Sequence, residues 1–284
     1  MNNAIEARGL CKKYGSFTLK DVSFDLPQGY IMGFIGPNGS GKTTTIKIIL
    51  KMIQGDAGAI RLFGADSAAA GNDRIGVVMD TPLYVDDWTA AGVGRALAPF
   101  YSRWDAGSFA DYLRRFGLEP QKKVKELSRG MKVKLQIAAA LSHEAKLLIL
   151  DEPTSGLDPV ARDEICDLLH EFVADENHSV LFSTHITSDI EKTADYITFI
   201  LSGGISFTGP KDALLEKYVR VAGGPGDLTA EQKRLVVGLR AHETGFEGMA
   251  ETANIGKLPG NVVAEKISLD EIVIFMNREA KSNG

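Results

Sequence analysis

The sequence predicts an α/β protein built on a parallel sheet, with an N-terminal antiparallel β part, a helical subdomain and a small C-terminal α+β extension. Three observations predict it. The apolar run "YIMGFIG" passes directly into a glycine-rich turn and a helix, "SGKTTTIKIILKMI". Two later apolar runs, "KLLILDE" and "SVLFSTH", flank one amphipathic segment, the strand-helix-strand rhythm of parallel pairing. Between these regions, from Trp88 to Ser142, only helical periodicity is present.

The elements follow in order. "IEARGLCKKYG" and "FTLKDVSFDLP" read as strands ahead of the first strand-loop-helix unit, which is complete by Met52. The helical subdomain, about 88–142, contains "AAGVGRALAPFYSRW", "AGSFADYLRRFGL" and "MKVKLQIAAALS". From Val160 to Ala174, Ile165, Leu168, Leu169, Phe172 and Val173 share one helix face. "YITFILSGGISFTG" reads as a hairpin and "KDALLEKY" as a helix. The stretch "AGGPG", Ala222 to Gly226, breaks regular structure, so the expected domains are 1–221 and 222–284. The tail has capping-box starts at Thr229 with Gln232 and at Ser268 with Glu271, so it is expected to be ordered.

Composition excludes several classes. A chain of 284 residues can hold one large core and a small appendage. A net charge of -5 without a basic run argues against nucleic acid or anionic lipid as the main partner. The start, "MNNAIEARGL", lacks the layout of a secretory signal, and no apolar run approaches the roughly 20 residues that span a bilayer. The chain itself is therefore expected to be soluble and cytoplasmic. Cys11 and Cys166 lack metal-ligand spacing and read as small packed side chains.

The strongest chemical signal is "GPNGSGKTT": Gly36, Pro37, Asn38, Gly39, Ser40, Gly41, Lys42, Thr43 and Thr44. It fits G-x-x-x-x-G-K-[ST] and joins an apolar strand to a helix, so pattern and setting agree on a phosphate-binding loop. Glycines let the backbone wrap an anion, and N–H groups from about Asn38 to Thr43 point inward. Lys42 neutralises β- and γ-phosphates, and the Thr43 hydroxyl takes magnesium, Mg²⁺.

In "LLILDEPTSGLD", Asp151 ends an apolar strand and can present a carboxylate to Mg²⁺ or its waters. Glu152, expected to point elsewhere, is then available to orient or deprotonate an attacking water. The stretch "LSRGMKVKLQIAAALS" opens a helix with a hydroxyl at Ser128 and an unobstructed N–H at Gly130, amid the charges of Arg129, Lys132 and Lys134. An isolated "LSRG" is more simply a capped helix start on a polar surface.

In this order, the motifs resemble those of the nucleotide-binding subunit of an ATP-binding-cassette (ABC) transporter, over roughly residues 4–215. "GPNGSGKTT" is similar to the Walker A loop, "LSRGM" to the signature, "LLILDE" to Walker B, "SGLD" to the D-loop, and "STH" to the switch motif ending at His185. The resemblance implies a P-loop NTPase core of ABC type that binds and hydrolyses ATP. It assigns Lys42, Glu152 and His185 to catalysis, Thr43, Asp80 and Asp151 to Mg²⁺, and Tyr14, residues 36–44, Ser128 and Gly130 to ATP. Tyr14 taken alone is a packing residue; its position before the Walker loop makes it the candidate to stack on adenine.

The resemblance also implies a homodimer, or a heterodimer with a similar ATPase, closing head to tail. Ser128 and Gly130 would then cap the γ-phosphate held by the other subunit, and Asp158 would connect the two sites. The implied partner is an integral membrane permease subunit, with no nucleic acid, and the implied location is the inner face of the cell membrane. Leu83, Tyr84 and Trp88 lie where the permease would dock, although each ring singly is more often core.

Two positions depart from the family pattern. The signature reads Leu-Ser-Arg-Gly-Met where the commonest form is Leu-Ser-Gly-Gly-Gln, with Arg129 expected to face solvent or weakly attract nucleotide. Asp80 stands where the family has a glutamine that reaches Mg²⁺ and the attacking water. These features most resemble exporters of the antibiotic-resistance type. The rival is a soluble ABC ATPase acting on a macromolecular partner, but the coiled-coil arms or doubled cassette of such proteins are not seen. A P-loop kinase or GTPase leaves the signature, D-loop and histidine unexplained.

Overall fold

The computed structural model describes residues 2–66, 72–81 and 84–282. Strands β1 (Asn3–Tyr14) and β2 (Phe17–Pro27) pair as a hairpin, and β3 (Ile31–Ile35) is buried at every position, as a strand covered on both faces must be. Helix α1 (Lys42–Ile49) follows the glycine turn and is shorter than the helical run expected to reach Ile53. β4 (Ala57–Leu62) and β5 (Ala65–Asp66) complete a four-stranded antiparallel sheet in the order β2-β1-β4-β5. β6 (Ile75–Val78) then joins the central sheet.

The helical insertion comprises α2 (Ala90–Leu97), α3 (Ala106–Arg115) and α4 (Arg129–Leu141). The expected helix from Ala90 to Trp104 stops at Leu97, and Ala98–Phe100 adds a single tighter turn containing Pro99. Local chemistry sets the other starts: the Thr89 hydroxyl accepts from the Gly92 N–H, and the Asp105 carboxylate accepts from the N–H groups of Gly107 and Ser108. Phe109, Leu113, Leu118, Val124, Leu127 and Leu135 form the insertion's own core.

β7 (Leu147–Asp151), α5 (Pro159–Val173), β8 (Ser179–Thr184), α6 (Thr187–Thr193), β9 (Tyr196–Leu201) and β10 (Gly204–Pro210) build a six-stranded sheet in the order β10-β9-β3-β8-β7-β6. All neighbours are parallel except the β9–β10 hairpin at the edge. The register sets Ile35 beside Thr184 and Asp151 beside Ser183, so the turns after β3, β7 and β8 open at one end of the sheet.

After α7 (Lys211–Lys217) come β11 (Tyr218–Gly223), α8 (Ala230–Lys233), β12 (Val236–His242), β13 (Gly245–Glu251), β14 (Val263–Lys266) and α9 (Leu269–Ser282). The strands form an antiparallel sheet in the order β12-β13-β11-β14. The break expected at 221/222 falls within β11, so the C-terminal sheet begins before the glycine-rich stretch rather than after it. Leu269, Ile272, Phe275 and Met276 of α9 belong to the same buried cluster as Ile35 and Phe182 of the central sheet. The Leu269 N–H donates to Glu191 Oε1 at 3.0 Å and Thr187 Oγ1 donates to Asp270 at 3.2 Å, which pins α9 to α6. Among the described residues, no helix is long and apolar enough to cross a membrane.

The seat of α4 on the sheet depends on Gly76 in β6. A Cβ there would lie 2.5 Å from Leu148 Cδ2 and 2.9 Å from the Ala140 carbonyl oxygen. Gly76→Val is expected to lower stability by about 1–3 kcal/mol through overpacking, read as a lower urea midpoint. Gly256→Ala, where a Cβ would meet no atom within 4 Å, is the control and should move stability by less than about 0.5 kcal/mol. An unchanged midpoint for Gly76→Val would disprove the close approach.

Candidate functional site

A cleft of about 710 Å³ opens at the carboxyl end of the central sheet. Asn38, Gly39, Gly41, Lys42, Thr43 and Thr44 line one wall. Gly41 precedes α1 with φ 116°, and a Cβ on it would come 2.8 Å from Leu19 Cδ1, so only glycine fits this turn. The Lys42 side chain is 5% exposed. Its ammonium donates to the Gly36 carbonyl at 2.7 Å and to the Pro37 carbonyl at 3.4 Å, so these two residues shape the loop from behind without lining the cleft. Ser40 also lies outside this cleft; its hydroxyl is buried without a partner, and with Pro37 it borders a second cleft against α9.

Tyr14 and Phe17, at the tip of the β1–β2 hairpin, line the opposite rim. Tyr14 is 44% exposed, a surface ring with the Lys12 ammonium 5.4 Å from its centroid rather than a core side chain. Lys47, Met52 and Thr81 also line the cleft, and no motif marked them.

Asp151 and Glu152 face the same cleft, contrary to the expectation that Glu152 points elsewhere. Asp151 is buried, and its Oδ1 accepts from Ser183 Oγ at 2.6 Å. Glu152 has left the strand with a left-handed φ of 51°, an uncommon conformation for a residue with a Cβ. Its N–H is held by the Ser183 carbonyl and hydroxyl, each at 3.1 Å. That geometry places Oε1 3.2 Å from Lys42 Nζ and Oε2 2.8 Å from His185 Nδ1. The structure thus brings Lys42, Glu152 and His185 together, with Ser183 organising both acids.

Ser128 and Gly130 do not line the cleft. Ser128 caps α4, its hydroxyl accepting from the Met131 N–H at 3.3 Å. A Cβ at Gly130 would meet only Leu157 Cδ2, at 3.5 Å. Asp158 caps α5 by accepting from Val160 and Ala161 N–H groups at 3.0 Å, and these bonds, Ala161's foremost, hold its carboxyl below the usual range.

Arg129 faces solvent as expected, its side chain 51% exposed, but it is also paired. Its Nη2 donates to Asp80 Oδ1 at 2.5 Å, so Asp80 lines the cleft with its carboxylate already engaged. The preceding residue, Met79, is held by Gln136 of α4, whose amide donates to the Met79 carbonyl and accepts from its N–H, both at 3.0 Å. The expected exposed aromatic cluster is also smaller than the sequence suggested. Tyr84 packs against the insertion's core, and burial pushes its phenol up. Trp88 remains 41% exposed beside Val85 at 49%, and Leu83 lies outside the described residues.

This geometry has counterparts in known proteins. A family described as ABC transporter matches residues 19–155. The chain is 35% identical over 223 residues to a bacitracin transport ATP-binding protein of Bacillus licheniformis, covering 76% of this chain and 73% of that one. It is 33% identical over 204 residues to a lantibiotic transport ATP-binding protein of Streptococcus pyogenes, covering 71% and 88% respectively. A solved structure of an ATP-binding subunit of an ABC transporter matches with a TM-score of 0.68 at 29% identity, over 74% of this chain and 91% of that chain. With its phosphate loop, paired acids and signature helix, the chain belongs to the ABC transporter family and is an ATP-binding, ATP-hydrolysing subunit of such a transporter.

Proposed function

We propose that the chain acts as one half of a homodimer, or of a heterodimer with a similar ATPase, which closes on Mg²⁺·ATP and drives a separate integral membrane permease in export. The observation that carries this reading is that Ser128 and Gly130 do not line the cleft formed by the Walker loop of their own chain. Among the described residues nothing crowds Gly130 enough to require a glycine, whereas close approach of a second subunit's phosphate would. In the closed dimer the signature helix start of one subunit supplies the other with a hydroxyl and backbone N–H groups.

The donor set suits Mg²⁺. The Thr43 hydroxyl and Asp151 carboxylate lie on one cleft, both hard oxygen donors, while Asp80 is turned to Arg129. Among the described residues no three His, Cys, Asp or Glu side chains converge as a metal cage, a pattern that suits an ion completed by phosphate oxygens and waters. When bound, Mg²⁺ would neutralise phosphate charge. The chain's own groups do the rest: Lys42 neutralises the β- and γ-phosphates, Tyr14 stacks on the base, and Glu152 accepts a proton from the attacking water. His185 holds Glu152 by its second oxygen and fixes its direction.

The exposed Val85 and Trp88 support docking of the permease on the helical insertion. Such docking places the chain on the cytoplasmic face of the cell membrane, where ATP is. Relatives named for bacitracin and lantibiotic transport, with another named for Nod factor export, favour export; in this reading the cargo contacts the permease rather than this chain.

Glu152→Gln should retain ATP affinity and lower turnover by about 10²–10⁴, the usual worth of a general base. It should also accumulate an ATP-dependent dimer on size exclusion. Turnover close to wild type would remove Glu152 from the base role.

The shared site is tested by mixing two inactive chains. Lys42→Ala breaks the Walker half and Ser128→Arg the signature half, so each pure dimer carries two broken sites. In a mixed dimer both lesions fall on one site and the other is whole. Mixing should restore ATP-dependent crosslinking of differently tagged chains, and up to about half of the per-dimer phosphate release if one site can fire alone. If Ser128 serves its own chain's nucleotide, mixing folded mutants restores neither.

A further inference from the structure

The two residues that depart from the family pattern, Arg129 and Asp80, are 49 positions apart in sequence and in contact in the fold, Nη2 to Oδ1 at 2.5 Å. Their side chains are 51% and 48% exposed, so the ion pair adds little to stability. Its position suggests a different purpose. Asp80 lines the same cleft as Asp151 and Glu152, so three carboxylates border a space meant for a triphosphate, against the ammonium groups of a buried Lys42 and of Lys47. An uncompensated carboxylate at residue 80 would repel the nucleotide and compete for its cation.

We infer that Arg129 is a positioning residue: it acts through Asp80 as the counter-ion that makes an aspartate tolerable beside the triphosphate, holding the carboxylate against the signature turn. Three bonds tie this part of the cleft to α4, one from Arg129 and two between Gln136 and the Met79 backbone. The arginine stem also lies against the turn before α5, since a Cβ at Gly156 would come 3.4 Å from Arg129 Cδ and Nε. A glycine at residue 129, as in the commonest signature, could not provide this charge, and a glutamine at residue 80 would not need it.

The inference rests on the cleft being a Mg²⁺·ATP site, and the test separates the two. Calorimetric titration of the full chain with a non-hydrolysable ATP analogue and Mg²⁺ gives Kd for wild type, Arg129→Ala, Arg129→Lys, Asp80→Asn and the Asp80→Asn/Arg129→Ala pair. Arg129→Ala should raise Kd by about fivefold, as expected for loss of one exposed charge partner. Arg129→Lys should recover most of the affinity. In the Asp80→Asn background, removing Arg129 should change Kd by less than about twofold, because no carboxylate remains to compensate. An unchanged Kd in Arg129→Ala overturns the inference, and so does a loss that persists with Asn at residue 80, which would mean that Arg129 acts on nucleotide or fold directly. Failure of the wild type to bind would overturn the cleft assignment and this inference with it; binding without coupling overturns the inference alone.

Discussion

The ammonium of Lys42, with its side chain only 5% exposed, is a charge almost removed from water, and the cleft is arranged around compensating it. A buried ion of this kind must be held by good partners, because its desolvation is costly by several kcal/mol. Two backbone carbonyls of its own loop supply dipoles, but the opposite charge comes from Glu152. That partner is not on a neighbouring strand, because β8 lies between β3 and β7 in the sheet. Glu152 reaches across only because the chain turns into the left-handed region immediately after β7 and is held there by Ser183 of β8.

Strand β8 is therefore more than a filler of the sheet. Ser183 donates to Asp151 and accepts from the Glu152 N–H, while two residues later His185 takes the far oxygen of Glu152. One short strand end thus orients both acids and separates their tasks: Asp151 is buried and fixed, and Glu152 lies between a cation and an imidazole. The parallel register makes this possible, since Asp151 and Ser183 are paired at adjacent strand ends.

Most of this machinery was legible because it is local. A glycine loop, an acid pair or a helix cap operates within a few residues, so spacing carries its meaning, and the apolar runs of β3, β7 and β8 announce strands buried on both faces. What escaped is what depends on packing. β6, "IGVV", is too short to show a period, and β4, "AGAIRL", is mostly exposed and poor in large apolar residues, so neither stood out as a strand. The glycines at 223 and 224 suggested a boundary, but β11 includes the first of them because its pairing with Phe246 of β13 overrides local propensity. Tyr84, one ring in a polar stretch, carried no periodicity to assign it to the insertion's core.

The long-range pairs were least legible, and they change how the motifs relate to one another. Read separately, Arg129 and Asp80 are two substitutions in two motifs; in the fold they form one nearly neutral unit. Ser128, the residue proposed above to serve a second subunit, directly precedes Arg129 and caps the helix whose Gln136 grips Met79. If that hydroxyl meets a neighbour's nucleotide, as proposed, it is anchored through Arg129 and Gln136 to the rim of its own chain's cleft. A shift of that rim must either carry the start of α4 with it or break an ion pair and two hydrogen bonds. In the proposed dimer, coupling between the two sites would then need no long pathway, because in each chain the nucleotide cleft and the start of α4 share these contacts.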